Sequence, residues 1–411
     1  MPELRQNTRS RILMHTVEPS GLGHYVSRLV LAIAQAGVPV ALYCPANSQD
    51  EDAVLHAGIE VIHAAVRDTS NANLLLRLCR NFVFLVRTAH SQFRAVRRGD
   101  VVHFQGMLHL PLGFVLLCLP KLQGASVVLT AHDPLPHRWR LPRALRRLER
   151  AMLHLSYRLC DNIIVHNRTG EELLRREFNI PASRISVVPH GWYAEDYAST
   201  PDACPVRELS LLAFGSIREN KGLHLAIAGL QMANRALPSP VRLTIAGHCD
   251  PAEEAYWNHC KQLIAAAPAH IEVIDRRIDD AEVAHLFARH HALLLPYTNF
   301  SSESGVATLA LSRRRALLAT ASGGLGELIS QADCGVLIRS QDAAGVAEAI
   351  RTAANLGPQR LLLMGIEGHR LVREARSWES VAEKTSAVYA RFLPQPATTA
   401  QAVGAQASLN L

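Results

Sequence analysis

Short apolar runs recur along the chain, each ended by a glycine or a polar loop and each followed by a longer stretch with helical spacing. In the first half the runs Arg11–Thr16, Val38–Cys44, Ile59–Ile62, Asp100–Gln105, Ser126–Ala131, Asn162–Asn167 and Ile185–Val188 predict strands. A polar stretch, Tyr193–Arg207, then interrupts the pattern and reads as a linker. The alternation restarts with runs at Leu209–Phe214, Val241–Ala246, Ile271–Ile274, Ala292–Leu295, Ala316–Thr320 and Gly335–Ile338. Strands alternating with helices predict an α/β fold of parallel sheets covered on both faces, here repeated twice with a cleft between the halves.

Ligands of such sheets sit at the carboxyl ends of the strands. Most telling is Leu209–Leu230, where an apolar run stops at Gly215 and a helix begins near Lys221-Gly222. The loop between them carries Arg218 and Lys221. A helix start offers unpaired N–H groups and the positive end of its dipole, so this loop is a candidate anion site. The guanidinium of Arg218 would grip a phosphate through two hydrogen bonds, and Lys221 would add a point charge. Read alone, the same residues also fit an ordinary exposed loop.

Two more helix starts follow, one at Ser302, Ser304, Gly305 and Val306, the other at Ser322-Gly323-Gly324-Leu325-Gly326-Glu327. Together with the two cations they describe a diphosphate pocket. The first strand also runs into a glycine loop, Gly21-Leu22-Gly23, but the third glycine of a dinucleotide fingerprint would fall at Val26, and no acidic residue ends the second strand. Histidines 15, 103, 132 and 166 stand at or near strand ends, and His132 opens a proline-stiffened loop. Each is either a ligand contact or a hydrogen-bonded structural imidazole.

At 411 residues, 48% hydrophobic and 19% charged, the chain has the composition of a globular protein with room for two domains. Its formal charge is +7, and the excess is concentrated in the first half. No acid lies between Asp68 and Asp100, whereas Arg77, Arg80, Arg87, Arg94, Arg97 and Arg98 interrupt a leucine- and phenylalanine-rich pattern. A second basic helix places Leu141, Leu145, Leu148, Met152, Leu155 and Leu159 on one stripe, with Pro142 in its first turn. Such helices suit an anionic membrane surface, or pack on a core and show arginine to water. Nucleic acid is a poor partner, because aromatic residues make up 5% and none interleave with the basic stretches. The 8 cysteines are scattered, which suits buried thiols in a reducing compartment and no zinc site. Asp50-Glu51-Asp52 reads as the acidic first turn of a helix rather than a metal motif. No signal peptide is expected, and no apolar run approaches the roughly 18–20 residues of a membrane span.

From about Arg11 to Leu393 the chain resembles glycosyltransferase family 4. The residues that carry the likeness are Gly21–Gly23, Ala131-His132-Asp133, VVPHG (187–191), FGSIRENKG (214–222), the PY…ESG segment (296–305), ASGGLGELI (321–329) and SWESVAEKTSAVYARFL (377–393). The resemblance implies the GT-B architecture, with two Rossmann-like domains and a last helix that crosses back to the first. It divides the chain into an acceptor domain (1–200), a nucleotide-sugar donor domain (201–376), the crossover helix (377–393) and a flexible tail (394–411). It also implies retaining transfer from a nucleotide sugar, UDP- or GDP-linked, with the leaving phosphate taking the acceptor's proton. Arg218 and Lys221 would hold the donor diphosphate, Gly21 and Gly23 would approach it from the other domain, and His132 would contact the transferred sugar. Ser216, Ser304, Gly305, Gly323, Gly324 and Glu327 would surround sugar and phosphate, and Arg276 and Ile278 would flank the nucleobase.

Two departures stand out. Ser216 occupies the place of the commonest pattern's arginine, as in a subgroup whose arginine stands at Arg218. The family's paired glutamates would fall at Ser302 and Ala310, which leaves Glu303 to substitute for the first. No resident cofactor or metal is expected. The implied acceptor is lipid-linked or an oligosaccharide, in polysaccharide, exopolysaccharide or glycolipid synthesis. The implied location is cytoplasmic, peripheral on the inner membrane face. The rivals are a GT-B scaffold subunit without turnover, suggested by the missing glutamates, and a nucleotide-sugar epimerase.

Overall fold

A computed structural model describes residues 10–16, 23–46, 48, 51–66, 74–106, 112–136, 139, 141–192 and 208–393. Gly21, the expected linker and the expected tail lie outside the described residues. In the first half β1 (Ile12–His15), α1 (Gly23–Gln35), β2 (Val40–Pro45), α2 (Glu51–His56), β3 (Glu60–Ala64), α3 (Leu74–Ala95), β4 (Val101–Gln105), α4 (Leu112–Leu122), β5 (Ser126–Thr130), α5 (Arg146–Leu159), β6 (Asn162–Val165), α6 (Arg168–Phe178) and β7 (Ile185–Val187) follow one another. Every pairing is parallel, in the order β3-β2-β1-β4-β5-β6-β7.

The second half repeats the plan with β8 (Ser210–Phe214), α7 (Leu223–Asn234), β9 (Arg242–Gly247), α8 (Glu254–Ala266), β10 (Ile271–Asp275), α9 (Asp280–Ala288), β11 (Ala292–Leu295), α10 (Gly305–Ser312), β12 (Ala316–Thr320), α11 (Leu325–Ala332), β13 (Gly335–Ile338), α12 (Ala343–Ala375, broken at Gly357-Pro358) and α13 (Trp378–Tyr389). Its parallel sheet runs β10-β9-β8-β11-β12-β13. In both sheets the strand order reverses beside the first strand, β1 or β8, and a crevice for ligands opens at such a switch point.

The strands read as continuous apolar runs because both faces are covered. On one side of the first sheet Leu13, Tyr43, Val102 and Val127 pack with residues of α3, α4, α5 and α6. On the other, Ile12, Met14, Leu42 and Val128 pack with α1 and with Trp378, Val381, Val388 and Tyr389 of α13. The last helix thus crosses back onto the first half. A Cβ on Gly191 would lie 2.5 Å from the Trp378 ring, so only glycine admits the indole.

Two helices depart from expectation in the way they face. The buried side of α3 includes the polar Thr88 and Gln92, while Phe82 (66% exposed), Val83, Val86 and Phe93 point outward. On α5 the expected stripe is turned away from the core: Leu145, Leu148 and Leu155 are exposed, and Leu153, Ser156 and Tyr157 are buried. Pro142 precedes a single 3-10 turn, Arg143–Leu145, rather than sitting inside α5. Cys79, on the outer side of α3, is exposed, against the expectation of buried thiols. Among the described residues no helix is long and apolar enough to cross a membrane.

Candidate functional site

At the end of β8 the chain turns through Gly215 (φ +101°), where a Cβ would lie 2.8 Å from the Lys221 amine. Glycine there lets the lysine fold back over the strand end. A 3-10 turn, Glu219–Lys221, leads to Gly222 (φ +65°), where a Cβ would meet the Pro296 carbonyl oxygen at 2.1 Å. The Thr298 amide donates to Asn220 O at 2.8 Å, tying the loop after β11 to this turn. Burial lowers the Lys221 pKa to about 8, and Arg218 beside it pushes the same way. Ser216 and Arg218 are exposed at the same rim. The fold therefore brings together the cations singled out in the sequence, on the lip of the crevice.

The loop before α10 is used differently from expectation. Ser304 caps the helix, its hydroxyl accepting from Ala307 N at 3.2 Å. Glu303 is 2% exposed at its side chain and is ion-paired with Arg376; it also accepts from Asn167 Nδ2 at 3.2 Å. Its carboxylate joins the two halves, so here it is engaged by protein groups on both sides. Ser302 donates to Asp133 across the same boundary. Ala310 is fully buried.

Gly323 and Gly324 also have a packing role, because Cβ atoms there would lie 2.3 Å from Ser302 O and 1.9 Å from a Glu303 oxygen. Glu327 reaches the start of α6, accepting from Arg168 N at 2.9 Å and Thr169 N at 3.3 Å. That caps a helix of the opposite half. These residues form a seam between the halves. Only Gly305, with open space where a Cβ would stand, leaves the start of α10 approachable. At the end of β10 the Arg276 guanidinium is held by Glu282 through bonds of 2.8 and 2.7 Å, and Ile278 is half-buried against the core.

Across the seam lies a cluster of imidazoles. His132, at the end of β5, contacts His166 at 2.9 Å and Gln105 at 3.2 Å, and His166 contacts Val188 O at 2.9 Å. Tyr25 sets its ring edge-on to His132 at 5.0 Å and packs on His190 and Trp378. Burial pushes the His166 pKa down to about 4 and that of His190 to about 3, and His132 is also held well below 6.5. His103 exchanges hydrogen bonds with the hydroxyls of Tyr389 (2.5 Å) and Thr130 (2.8 Å). His15 stacks on Tyr43, and neither of its ring nitrogens has a hydrogen-bond partner among the described residues. Gly23 opens α1, as the glycine-loop reading requires. Sequence reasoning missed Arg376, Asn167 and Gln105, whose partners are distant along the chain; the only available signal was their place at strand ends or beside a helix start.

The family profile described as Glycosyltransferase Family 4 matches residues 19–194, and that described as Glycosyl transferases group 1 matches residues 208–355. A glycogen synthase of Mycobacterium tuberculosis is 25% identical over 393 residues, covering 90% of each chain. A lipopolysaccharide 1,2-N-acetylglucosaminetransferase of Salmonella typhimurium is 25% identical over 228 residues, covering 51% of this chain and 57% of its own. In fold the chain is similar to Anabaena Alr3699/HepE, solved in complex with UDP, at a TM-score of 0.70 and 13% identity; the match covers 93% of this chain and 100% of that one. Matched by these profiles over most of both halves, the chain belongs to the family 4 glycosyltransferases of GT-B architecture.

Proposed function

We propose that the protein transfers a sugar, with retention, from a UDP- or GDP-linked donor to a lipid-linked or oligosaccharide acceptor. The observation that carries this is Lys221: a recessed cation at the end of β8, with Arg218 beside it and no carboxylate paired to it among the described residues. A leaving nucleoside diphosphate develops negative charge, and fixed cations and helix amides facing that charge are usually the largest source of rate enhancement. HepE, of the same fold, has been solved with UDP, and the Mycobacterium and Salmonella relatives are named as a glycogen synthase and a lipopolysaccharide N-acetylglucosaminetransferase. His132 would meet the transferred sugar from the opposite half.

In this reading the chemistry needs no resident metal or cofactor. The leaving phosphate accepts the acceptor's proton while the new glycosidic bond forms on the same face. The outward apolar side chains of α3 and α5, bordered by arginines, support a membrane-borne acceptor. The rival, a binding scaffold without turnover, is favoured by Ser302 and Ala310 at the glutamate positions.

Each charge-assisted hydrogen bond contributes about 1.5–3 kcal/mol. Arg218→Ala and Lys221→Ala should therefore each weaken nucleoside-diphosphate binding about tenfold or more, read by calorimetric titration with UDP and GDP. Unchanged affinity in both folded variants would overturn the assignment, and tight binding without donor consumption would favour the scaffold.

A further inference from the structure

A line of hydrogen bonds crosses the imidazole cluster, and its direction is fixed at one end. His166 Nδ1 lies 2.9 Å from the Val188 carbonyl oxygen. A carbonyl only accepts, so Nδ1 carries the hydrogen, and in a neutral ring Nε2 is then a lone pair. His166 Nε2 is 2.9 Å from His132 Nδ1. That contact is a hydrogen bond only when His132 Nδ1 donates, which leaves His132 Nε2 as the lone pair. The reverse assignment sets two buried acceptors against each other at Val188, and an unmade buried hydrogen bond is costly.

One further proton on the pair would suit the Gln105 oxygen, 3.2 Å from His132 Nε2. Burial opposes that proton on both rings, and the neighbouring imidazoles add repulsion. In the free protein, with the pair neutral, the Gln105 amide turns its NH2 to Nε2 and gives up its contacts with Met14 Sδ and His103; a bound sugar hydroxyl then takes the amide's place on the lone pair. Of the charges nearby, Arg376 works against a proton on His166 and Asp133 favours one, but burial is the larger effect and keeps the ring neutral.

We propose that His166 is a positioning residue that holds His132 in the Nδ1–H tautomer, so that Nε2 accepts from a hydroxyl of the transferred sugar and donors with a carboxylate there are rejected. The proposal rests on the placement of His132 against that sugar. A hydroxyl can give a hydrogen to the lone pair. A carboxylate has none to give and meets both the lone pair and Asp133, whereas a protonated histidine would have welcomed it.

Ring-nitrogen NMR of the 15N-labelled full chain at pH 7.5 reads both tautomers without any variant. His132 and His166 are expected to be Nδ1-protonated, and finding either as the Nε2–H form overturns the relay. In His166→Phe, His132 should lose its tautomer preference and kcat/KM should fall about tenfold or more. His166→Gln, which keeps a donor and an acceptor, should recover most of the loss; a Phe variant as active as wild type overturns the positioning role. Consumption of UDP-glucose against UDP-glucuronate, and of GDP-mannose against GDP-mannuronate, should favour the hexose by about 10² or more. Equal rates within the pair that is used overturn the rejection of carboxylates. Failure of the underlying placement looks different: His132→Ala would leave transfer unchanged while the spectra still showed the relay.

Discussion

At the scale of single residues, Lys221 links structure to a measurable pH dependence. Its pKa of about 8 in the free protein reflects the loss of hydration and the push from Arg218. A bound diphosphate places negative charge beside it and favours the protonated form, so binding is coupled to proton uptake once the free lysine begins to deprotonate. The dissociation constant for UDP or GDP is thus expected to be flat from pH 6.5 to 7.5 and to weaken above pH 8, approaching about tenfold per unit. Lys221→Arg should remove the upper slope, because a guanidinium stays charged throughout. An affinity that is the same at pH 7 and pH 9.5 would place the lysine away from the phosphate. Arg218 and Lys221 were legible in the sequence because a strand, a glycine and a helix start are local features. The engagement of Glu303 was not, since its partner Arg376 stands a domain-length further along the chain and no periodicity encodes the pair.

At the scale of elements, each apolar run read from the sequence became a strand, because a run closed by glycine or a polar loop has few other uses in a buried parallel sheet. What the pattern could not give is which way a helix faces. On α3 and α5 it shows an apolar stripe, and a stripe ordinarily marks the core side; here tertiary packing buries Thr88, Gln92 and Ser156 instead. Both helices pack on the same face of the first sheet with α4 between them. Their outward residues therefore form a shared surface, together with Val115 and Leu122 of α4. Arg150 is engaged by Glu177 and lies over Phe178, whereas Arg143, just before α5, and Arg146 and Arg147 in its first turn are exposed with no ion pair among the described residues. Each cation near anionic lipid contributes about 1 kcal/mol. Replacing those three with glutamine should weaken flotation with phosphatidylserine vesicles by about 10², and high salt should release the wild type. Phe82→Ser with Phe93→Ser should weaken it further without changing nucleotide binding. A wild-type protein that ignores anionic vesicles at low salt would make a soluble acceptor the better reading.

At the scale of the whole molecule, the two halves are joined by a seam of polar contacts yet differ in what they bury. The first half holds His15, His103, His166 and His190, with pKa values pushed down to about 3, 3, 4 and 3. The second has His290, lowered to about 4. In the unfolded chain each titrates near 6.5, so between pH 6.5 and about 4 the unfolded state binds more protons than the folded one. Stability must then fall as pH is lowered through that window and be insensitive to these groups above pH 7. One such histidine forfeits ~2 kcal/mol by pH 5, and the first half carries most of them. Calorimetric melting should accordingly give a first transition that moves down steeply between pH 7 and pH 5, with a second that moves less. Added UDP or GDP should raise only the second, because binding to Arg218 and Lys221 stabilises the half that holds them. A first transition whose midpoint is unchanged from pH 7 to pH 5 would mean that the imidazole cluster is hydrated and protonated in the native protein. The neutral relay through His166 would then be lost with it.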